Sequence, residues 1–198
     1  MRYFVITGHK AVADGSWKLD DLGGGAGRMD ILCRCINSAF VLSHNLREDC
    51  EIYLVLEGGE DAPKTVRVEG RTVRYLNPDE RSTASLIRNA CLKKVIKGQE
   101  VSPSPGIFIS RRGFDEVIDC LSEKGEFVYL KEDGTDVREF QFPENPIFVL
   151  GDNSDLTEEE EKALLAHSPA KISVGPVSLH ADHCIILVQN EMDRRCAQ

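Results

Sequence analysis

The chain has 198 residues, of which 41% are hydrophobic and 29% charged, a composition typical of a globular protein with one sizeable core. Its 24 Lys and Arg residues against 33 Asp and Glu give a formal net charge of -9, which excludes a basic field over the whole molecule and restricts any nucleic-acid site to a local patch. The opening stretch MRYFVIT has too short an apolar run for a signal peptide, and no segment approaches the roughly 20 apolar residues of a membrane span.

The first third of the chain predicts a strand, a helix and two further strands. The apolar run at 3–7 predicts the first strand, and the glycine-rich stretch 20–27 predicts a loop. Apolar residues then recur at helical spacing, which predicts a helix from about 28 to 45. Two apolar runs with alternating polar residues, 51–57 and 64–70, predict strands on either side of a turn.

A capped helix is predicted next. Asn77 is a candidate N-cap, Pro78 suits the first helical position, and Glu80 follows the cap by three residues. Together they predict a helix that continues to about residue 96. The stretch 98–106 is rich in Ser, Pro and Gly, and it predicts a linker or turn.

The last part of the chain continues the alternation of strands and helices. A short helix is predicted over 113–122. A second helix is predicted to begin at the capping box that Thr157 and Glu160 form. The last helix is predicted over 184–195. Short apolar runs predict strands at 107–110, 127–131, 146–153 and 170–174. This order predicts an α/β protein with a mostly parallel sheet covered by helices on both faces.

Two of the predicted strands end in stretches suited to ligand binding. In such sheets, ligands bind beyond the carboxyl ends of the strands. After the run at 146–150, Gly151 lets a ligand approach the backbone, and Asp152 or Asn153 offers polar atoms. After 170–174, a sharp turn at Gly175 and Pro176 leaves free amides at the start of a helix, those of Val177, Ser178 and Leu179. Spacing alone favours ordinary strand-to-helix turns, so ligand loops are one of two open interpretations.

The stretch LHADHC at 179–184 raises the question of a metal site. A zinc site needs three or four protein ligands, and no second ligand pair with suitable spacing is present elsewhere. On a helix, His180, His183 and Cys184 would share one face and Asp182 would point away. We therefore expect no metal, and we expect Cys184 to act as a small apolar residue in a pocket or core. Seven scattered cysteines without a Cys-x-x-Cys pair further predict free thiols and a cytoplasmic protein.

Several stretches together resemble the SPOUT-class RNA methyltransferases. The first are LGDN at 150–153, the capped acidic helix after it, and KISVGPVSLHADHCI at 171–185. Further stretches resemble, within that class, the archaeal tRNA methyltransferases that act on N1 of pseudouridine at position 54. These are GRMDILCRC (27–35), SHN (43–45), NPDERS (77–82) and PGIFISRRGF (105–114). The resemblance covers almost the whole chain.

The resemblance implies a fold, a cofactor and partners. It implies a single SPOUT methyltransferase domain over 1–198, with an N-terminal half of about 1–100 that carries a substrate-side helix. The half from about 101 to 198 would bind S-adenosylmethionine and form a deep trefoil knot. The partners implied are the T loop of tRNA and a second copy of the chain in a homodimer. The cofactor-binding residues would be Leu130, Gly151, Val174, Gly175, Pro176, Val177, Ser178, Leu179 and Cys184.

Methylation of N1 of pseudouridine requires the loss of the N1 proton, and a nearby carboxylate is the natural base. Asp30 is the first candidate and Asp152 the second. Arg28 and Arg34 are candidates to hold phosphate or the carbonyl oxygens of the base. Asp30 and Arg34 also have the spacing of an ordinary surface ion pair on a helix.

Local groups of arginines are the candidate RNA contacts, because guanidinium groups bind phosphate and stack on unpaired bases. The candidates are Arg34, Arg81, Arg88, Arg111 and Arg112. Basic residues on one helix face are also commonly no more than solvated surface. Two other functions remain open: a non-catalytic RNA-binding module with the same fold, and a small metal-dependent hydrolase that uses His180, His183 and Cys184.

Overall fold

A computed structural model describes residues 1–196 as one sheet of eight strands with five helices packed on it. The strands are β1 (Arg2–Val12), β2 (Cys50–Gly58), β3 (Lys64–Glu69), β4 (Glu100–Ser104), β5 (Ile107–Ser110), β6 (Glu126–Asp136), β7 (Pro146–Gly151) and β8 (Ala170–Ser173). The helices are α1 (Met29–Phe40), α2 (Glu80–Cys91), α3 (Phe114–Leu121), α4 (Glu158–Leu165) and α5 (Ala181–Cys196). The strand order is β4-β5-β3-β2-β1-β7-β6-β8.

The sheet has a parallel part and an antiparallel part. Strands β2, β1, β7, β6 and β8 pair in parallel, whereas β3, β5 and β4 add antiparallel pairs at one side. The prediction of a mostly parallel α/β sheet is therefore confirmed. Because parallel strands end at the same edge, the carboxyl ends of β1, β6, β7 and β8 lie close together.

The sheet is buried on both faces. Along β1, Phe4 and Ile6 enter the core under α1, α2 and α5, while Tyr3 and Val5 enter the core under α3 and α4. The ring of Phe4 stacks on that of Phe148 from β7, with ring centroids 5.1 Å apart. Burial of each such side chain contributes about 1.5–3 kcal/mol, which is why the central strands are continuous apolar runs.

Polar side chains attach α5 to the rest of the protein. Arg2 is buried and donates from Nη1 to Gln189 Oε1 at 2.8 Å. The side-chain amide of Gln189 donates in turn to the Ala39 carbonyl at 2.8 Å. The carboxylate of Asp193 forms ion pairs with the guanidinium groups of Arg2, at 2.7 Å, and Arg47, at 2.8 Å. These bonds fix the rotation of α5 against α1.

Several predicted boundaries were wrong. β1 continues to Val12, well past residue 7, and β6 continues to Asp136. Helix α1 ends at Phe40 instead of about 45, because the backbone turns extended at Val41 and forms a bridge with Leu46. Helix α5 begins at Ala181, three residues before its predicted start.

The region around α2 also differs from the prediction. Asp79, not Asn77, is the N-cap, and its carboxylate accepts the Ser82 amide at 2.8 Å. The helix ends at Cys91 instead of about 96. The stretch expected to be a linker contains β4, a short edge strand in which Pro103 is tolerated because one side of the strand needs no partner. No helix within the described residues is long and apolar enough to cross a membrane.

Candidate active site

A cavity of about 390 Å³ lies at the carboxyl ends of β6, β7 and β8. Sites for small molecules usually have volumes of about 300–1,000 Å³. Three chain segments form most of its lining: 130–132, 150–155 and 173–181 without residue 176. Arg28 and Ile31 from the region of α1 and Cys184 from α5 complete the wall. The cavity therefore lies where the strand-end rule placed a ligand.

Eight of the nine predicted cofactor residues line this cavity. They are Leu130, Gly151, Val174, Gly175, Val177, Ser178, Leu179 and Cys184. Pro176 lies in the same loop but outside the lining. The sequence predicted that the amides of 177–179 lie at the start of a helix. This prediction was wrong, because α5 begins only at Ala181. Burial raises the pKa of the Cys184 thiol to about 11, so this side chain is a neutral, weakly polar part of the wall.

A bulge in β6 shapes one side of the cavity. Leu130 and Thr135 both pair with Ile172, so residues 131–134 are pushed out of the ladder. Gly134 makes this possible, because a Cβ there would overlap the backbone of Ile172. The bulge places Glu132 in the wall, where Ser178 donates to it at 2.6 Å and closes the loop after β8 over the cavity.

The two glycines of the lining have different roles. A Cβ on Gly151 would overlap the carbonyl oxygen of Ser154, so this glycine allows the turn 151–155 to close. Gly151 also lines the cavity, and the close approach of a ligand to its backbone stays a prediction. A Cβ on Gly175 would meet no protein atom within 4 Å, although Gly175 lines the cavity. Free space beside a lining residue is what a ligand cradle requires.

Only part of the stretch 179–184 is helical, because α5 begins at Ala181. Asp182 is buried, and its Oδ1 lies 3.7 Å from Arg34 Nε. His180 and His183 are exposed, and their rings lie 5.5 Å apart. In the part of the chain that the structure describes, no group of three or more His, Cys, Asp or Glu could hold a metal ion.

Arg28 enters the cavity wall from an unusual backbone. It is the N-cap of α1 with φ of 66°, in the left-handed region that non-glycine residues rarely adopt. Gly27 before it also has positive φ, and a Cβ there would overlap the carbonyl oxygen of Lys10. Strained conformations of this kind persist where the surroundings fix them, often at functional sites. The loop thus packs tightly on the last part of β1 and directs Arg28 to the wall.

A chain of ion pairs holds Arg28. Its guanidinium donates to both carboxylate oxygens of Asp30, at 3.0 Å each. Arg34 donates to Asp30 at 3.1 Å and to Glu80 at 3.2 Å, with Asp182 nearby. Burial raises the pKa of Asp30, but the hydrogen bonds from the two arginines outweigh it and lower that pKa. Asp30 is thus a fixed anion just outside the lining, and it holds Arg28, which is one of the charged groups in the lining.

Asp152 also lies in the cavity wall, close enough to Arg28 for their charges to interact. Its side chain is only 2% exposed, and Oδ1 accepts the Ser154 amide at 3.1 Å. The imidazole of His9 lies 3.4 Å from the same oxygen and 2.9 Å from Glu160 Oε2. His9 was not among the predicted site residues, and Glu160 was predicted only as part of a capping box. The strand-end rule that found Asp152 would have found His9 if β1 had been followed past residue 7.

The predicted RNA-binding arginines differ in how far their side chains are engaged. Arg81 is 61% exposed and pairs only with exposed Asp20. Arg88 donates to the Gly15 carbonyl at 3.1 Å, and Arg111 donates to the Val95 carbonyl at 2.9 Å. Arg112 contacts the sulfur of Cys120 at 3.7 Å, and Arg34 is held by carboxylates as described above. Only part of this set has a guanidinium available to a new partner.

Comparisons with known proteins agree over nearly the whole chain. The family model described as "Putative SAM-dependent RNA methyltransferase" matches residues 1–197. A tRNA (pseudouridine(54)-N(1))-methyltransferase from Methanococcoides burtonii is 49% identical over 98% of this chain and 96% of its own length. The protein of that name from Haloferax volcanii is 47% identical, again over 98% of this chain and 96% of its own.

A solved structure shares the fold. The crystal structure of Archaeoglobus fulgidus Nep1 bound to S-adenosylhomocysteine superimposes with a TM-score of 0.65. The superposition covers 100% of this chain and 98% of the Nep1 chain. At 15% sequence identity, the similarity concerns the architecture alone. The solved structure therefore supports the architecture of the chain, and the family rests on the sequence comparisons.

Proposed function

The chain belongs to the family of S-adenosylmethionine-dependent RNA methyltransferases, and on this premise we propose that it methylates N1 of pseudouridine at position 54, in the T loop of tRNA. One observation carries this proposal. A cavity of cofactor size lies at the strand ends, with Arg28 and Asp152 in its wall. The chain that forms it matches relatives named tRNA (pseudouridine(54)-N(1))-methyltransferase over 98% of its length.

The lining of the cavity fits S-adenosylmethionine. This cofactor has an adenine ring, a ribose, a positively charged sulfur and an amino-acid group, but no phosphate. Leu130, Val174 and Leu179 offer apolar surface to the adenine, and the carboxylates of Glu132 and Asp155 offer partners to its positive charges. No glycine-rich phosphate loop is needed for such a ligand. We propose that the eight lining residues hold the cofactor and that Pro176 rigidifies the loop that carries five of them.

Asp152, Arg28 and Asp30 have separate roles in the reaction. When bound, the cofactor supplies a methyl group on an activated sulfur. The carboxylate of Asp152 accepts the proton that leaves N1 of pseudouridine. Arg28 donates hydrogen bonds to a carbonyl oxygen of the base, where negative charge increases as the proton leaves. Asp30 positions Arg28 through its two-point contact, because a fixed guanidinium loses little freedom when the base binds.

The RNA side of the site extends outward from Arg28. Arg34 and Glu80 connect this edge to the start of α2, where Arg81 is exposed. We propose that Arg81 contacts the phosphate backbone of the T loop. Arg88, Arg111 and Arg112 remain weaker candidates, since binding RNA would cost at least the first two their present hydrogen bonds.

Assembly and topology are further parts of the proposal. Val177 and Ile186 are 63% and 50% exposed, large fractions for apolar side chains on the loop after β8 and on α5. A homodimer that covers them would remove this surface from water, and a mass measurement at micromolar concentration tests it. We also propose that the C-terminal half is knotted, as in the SPOUT class, and that the protein acts in the cytoplasm, where unpaired cysteines are stable.

The decisive experiment uses matched tRNA transcripts. One carries pseudouridine at position 54 and the other carries uridine there, and both are incubated with protein and S-adenosylmethionine labelled in its methyl group. Incorporation into the first transcript alone, recovered as N1-methylpseudouridine after nuclease digestion, is the expected result. Equal incorporation into both transcripts would contradict the proposed target. Lack of incorporation into either transcript would contradict the activity itself.

A further inference from the structure

His9 is a charged residue beside the proposed site that the steps above do not use. It lies near the end of β1, on the face of the sheet that α3 and α4 cover. Its side chain is 19% exposed, and it connects Asp152 in the cavity wall with Glu160 on α4. Glu160 is itself fixed by the capping box of α4, in which it accepts the Thr157 amide at 2.8 Å.

Both ring nitrogens of His9 face carboxylate oxygens. Only the imidazolium form has an N–H on each nitrogen, so only that form satisfies both contacts. The hydrogen bonds to Asp152 and to Glu160 outweigh burial and raise the pKa of His9 to about 10. His9 therefore carries a positive charge at neutral pH, in a place where two buried carboxylates would otherwise repel each other.

Other charged groups around His9 come from three further elements. Glu57 at the end of β2 has a pKa raised by burial and by the charge of Glu160. Asp115 on α3 adds negative potential at Glu57. On the other side, Arg28 faces Asp152 from the start of α1. Carboxylates thus outnumber cations on this side of the cavity, and the charge of His9 offsets part of the excess.

We infer, building on the function proposed above, that His9 is a positioning residue for methyl transfer, and that its imidazolium orients the carboxylate of Asp152 and offsets its negative charge at the cavity wall. His9 and the Ser154 amide both contact Oδ1 of Asp152. Oδ2 is then the atom that accepts the N1 proton of the base. The N1–H bond breaks, an O–H bond forms on Asp152, and the proton passes to water after the product leaves.

The experiment measures the pH dependence of methyl transfer in single turnover with cofactor and tRNA saturating. His9→Gln removes the charge and keeps a hydrogen-bonding side chain, so the acidic limb of the profile should move to higher pH by about 1–3 units. His9→Lys restores a cation and should return the limb toward its original place. Glu160→Gln removes a carboxylate instead, and it should not move the limb upward.

A merely structural role for His9 predicts a different result. His9→Gln and Glu160→Gln would then both lower the rate by the same factor at every pH, and His9→Lys would give no recovery. That result would overturn the inference. The three variants thus separate the charge of His9 from its role as a link between β1 and α4.

A second measurement does not depend on activity. NMR titration of the labelled His9 ring in the wild-type protein should find it still protonated at about pH 8, well above the ordinary histidine pKa of about 6.5. A neutral ring at that pH would overturn the inference even if every variant unfolded. If the wild type methylates tRNA while His9 is neutral, only the inference fails. If wild-type protein methylates no tRNA, the proposed function fails and the inference with it.

Discussion

The cavity has two walls that differ in how they are held. The loop wall, residues 173–180 with Glu132, is largely exposed, and the Ser178 to Glu132 hydrogen bond is its side-chain link to β6. The ionic edge comprises Arg28, Asp30 and Asp152 with their partners, and each of these charges is fixed by at least two bonds or contacts. An adaptable wall suits binding, whereas a preorganised one suits chemistry. Substitutions in the two walls should therefore change different constants.

The largest effect is expected at Asp152 in the ionic edge. Asp152→Asn preserves the shape of the side chain but removes the proton acceptor, so the single-turnover rate should fall by about 10²–10⁴-fold. Calorimetric affinity for S-adenosylmethionine should change little. Asp133→Asn is the matched control, because that carboxylate is 69% exposed and lies outside the lining. A near-normal rate in Asp152→Asn would remove the chemical role from this side of the cavity.

Asp30→Asn should have the next largest effect, through Arg28. The substitution breaks the two-point contact at 3.0 Å, and a guanidinium displaced by about 1 Å costs up to about 10²-fold in rate. Arg28→Lys should give a similar loss, and the double variant should be little worse than either single one, because both remove the same feature. These rates are measured in single turnover. A loss in Asp30→Asn larger than that in Asp152→Asn would instead identify Asp30 as the base.

Sequence alone predicted the loop wall better than the ionic edge. Glycines after buried strands mark both loops, because the chain must turn sharply where a parallel strand ends. His9 was missed because the polar residues after Thr7 suggest a strand end, although β1 continues to Val12. The burial of Asp182 was not predicted, because spacing shows which residues share a helix face but not which face of α5 packs on α1.

Some features of the site have no local signal in the sequence. The bulge in β6 depends on how the strand pairs with β8, which is distant in the chain. The contact of Arg34 with Glu80 joins α1 to α2, and the link from His9 to Glu160 joins β1 to α4. Such contacts are set by tertiary packing, so spacing along the chain cannot predict them. In the ionic edge, the contacts of Asp30 with Arg28 and Arg34 are local, whereas the contact of Asp152 with His9 is of this long-range kind.

The loop wall is tested at Gly175. A valine there meets no protein atom at its Cβ, so the fold should persist while the side chain takes up space beside the cofactor. A steric clash with the cofactor of about 1–3 kcal/mol corresponds to a rise in the calorimetric Kd for S-adenosylmethionine of about 5–150-fold. The rate at saturating cofactor should stay near normal, in contrast to the variants of the ionic edge.

Gly151→Ala provides the contrast within the same cavity. Its new Cβ would overlap the Ser154 carbonyl, so this variant should lower the melting temperature as well as the affinity. A Gly175→Val protein with unchanged affinity would show that the loop wall does not contact the cofactor. Reduced thermal stability in Gly175→Val but not in Gly151→Ala would contradict the packing described for both glycines.

The smallest effect is expected farther out, on α2, where the same difference between fixed and free charges separates Arg81 from Arg88. Arg81 is 61% exposed and its pair with Asp20 lies at the surface, so the guanidinium is available to a phosphate at little cost. Arg81→Gln should weaken tRNA binding uniformly across sequences and reduce the slope of log Kd against log salt by about 1. Arg88→Gln loses its hydrogen bond to the Gly15 carbonyl, so it should lower the free energy of unfolding by about 1 kcal/mol and leave the salt slope unchanged. Equal salt slopes for wild type and Arg81→Gln would mean that the RNA approaches the cavity from another side, because an exposed cation in the path of the phosphate backbone must release counterions when RNA binds.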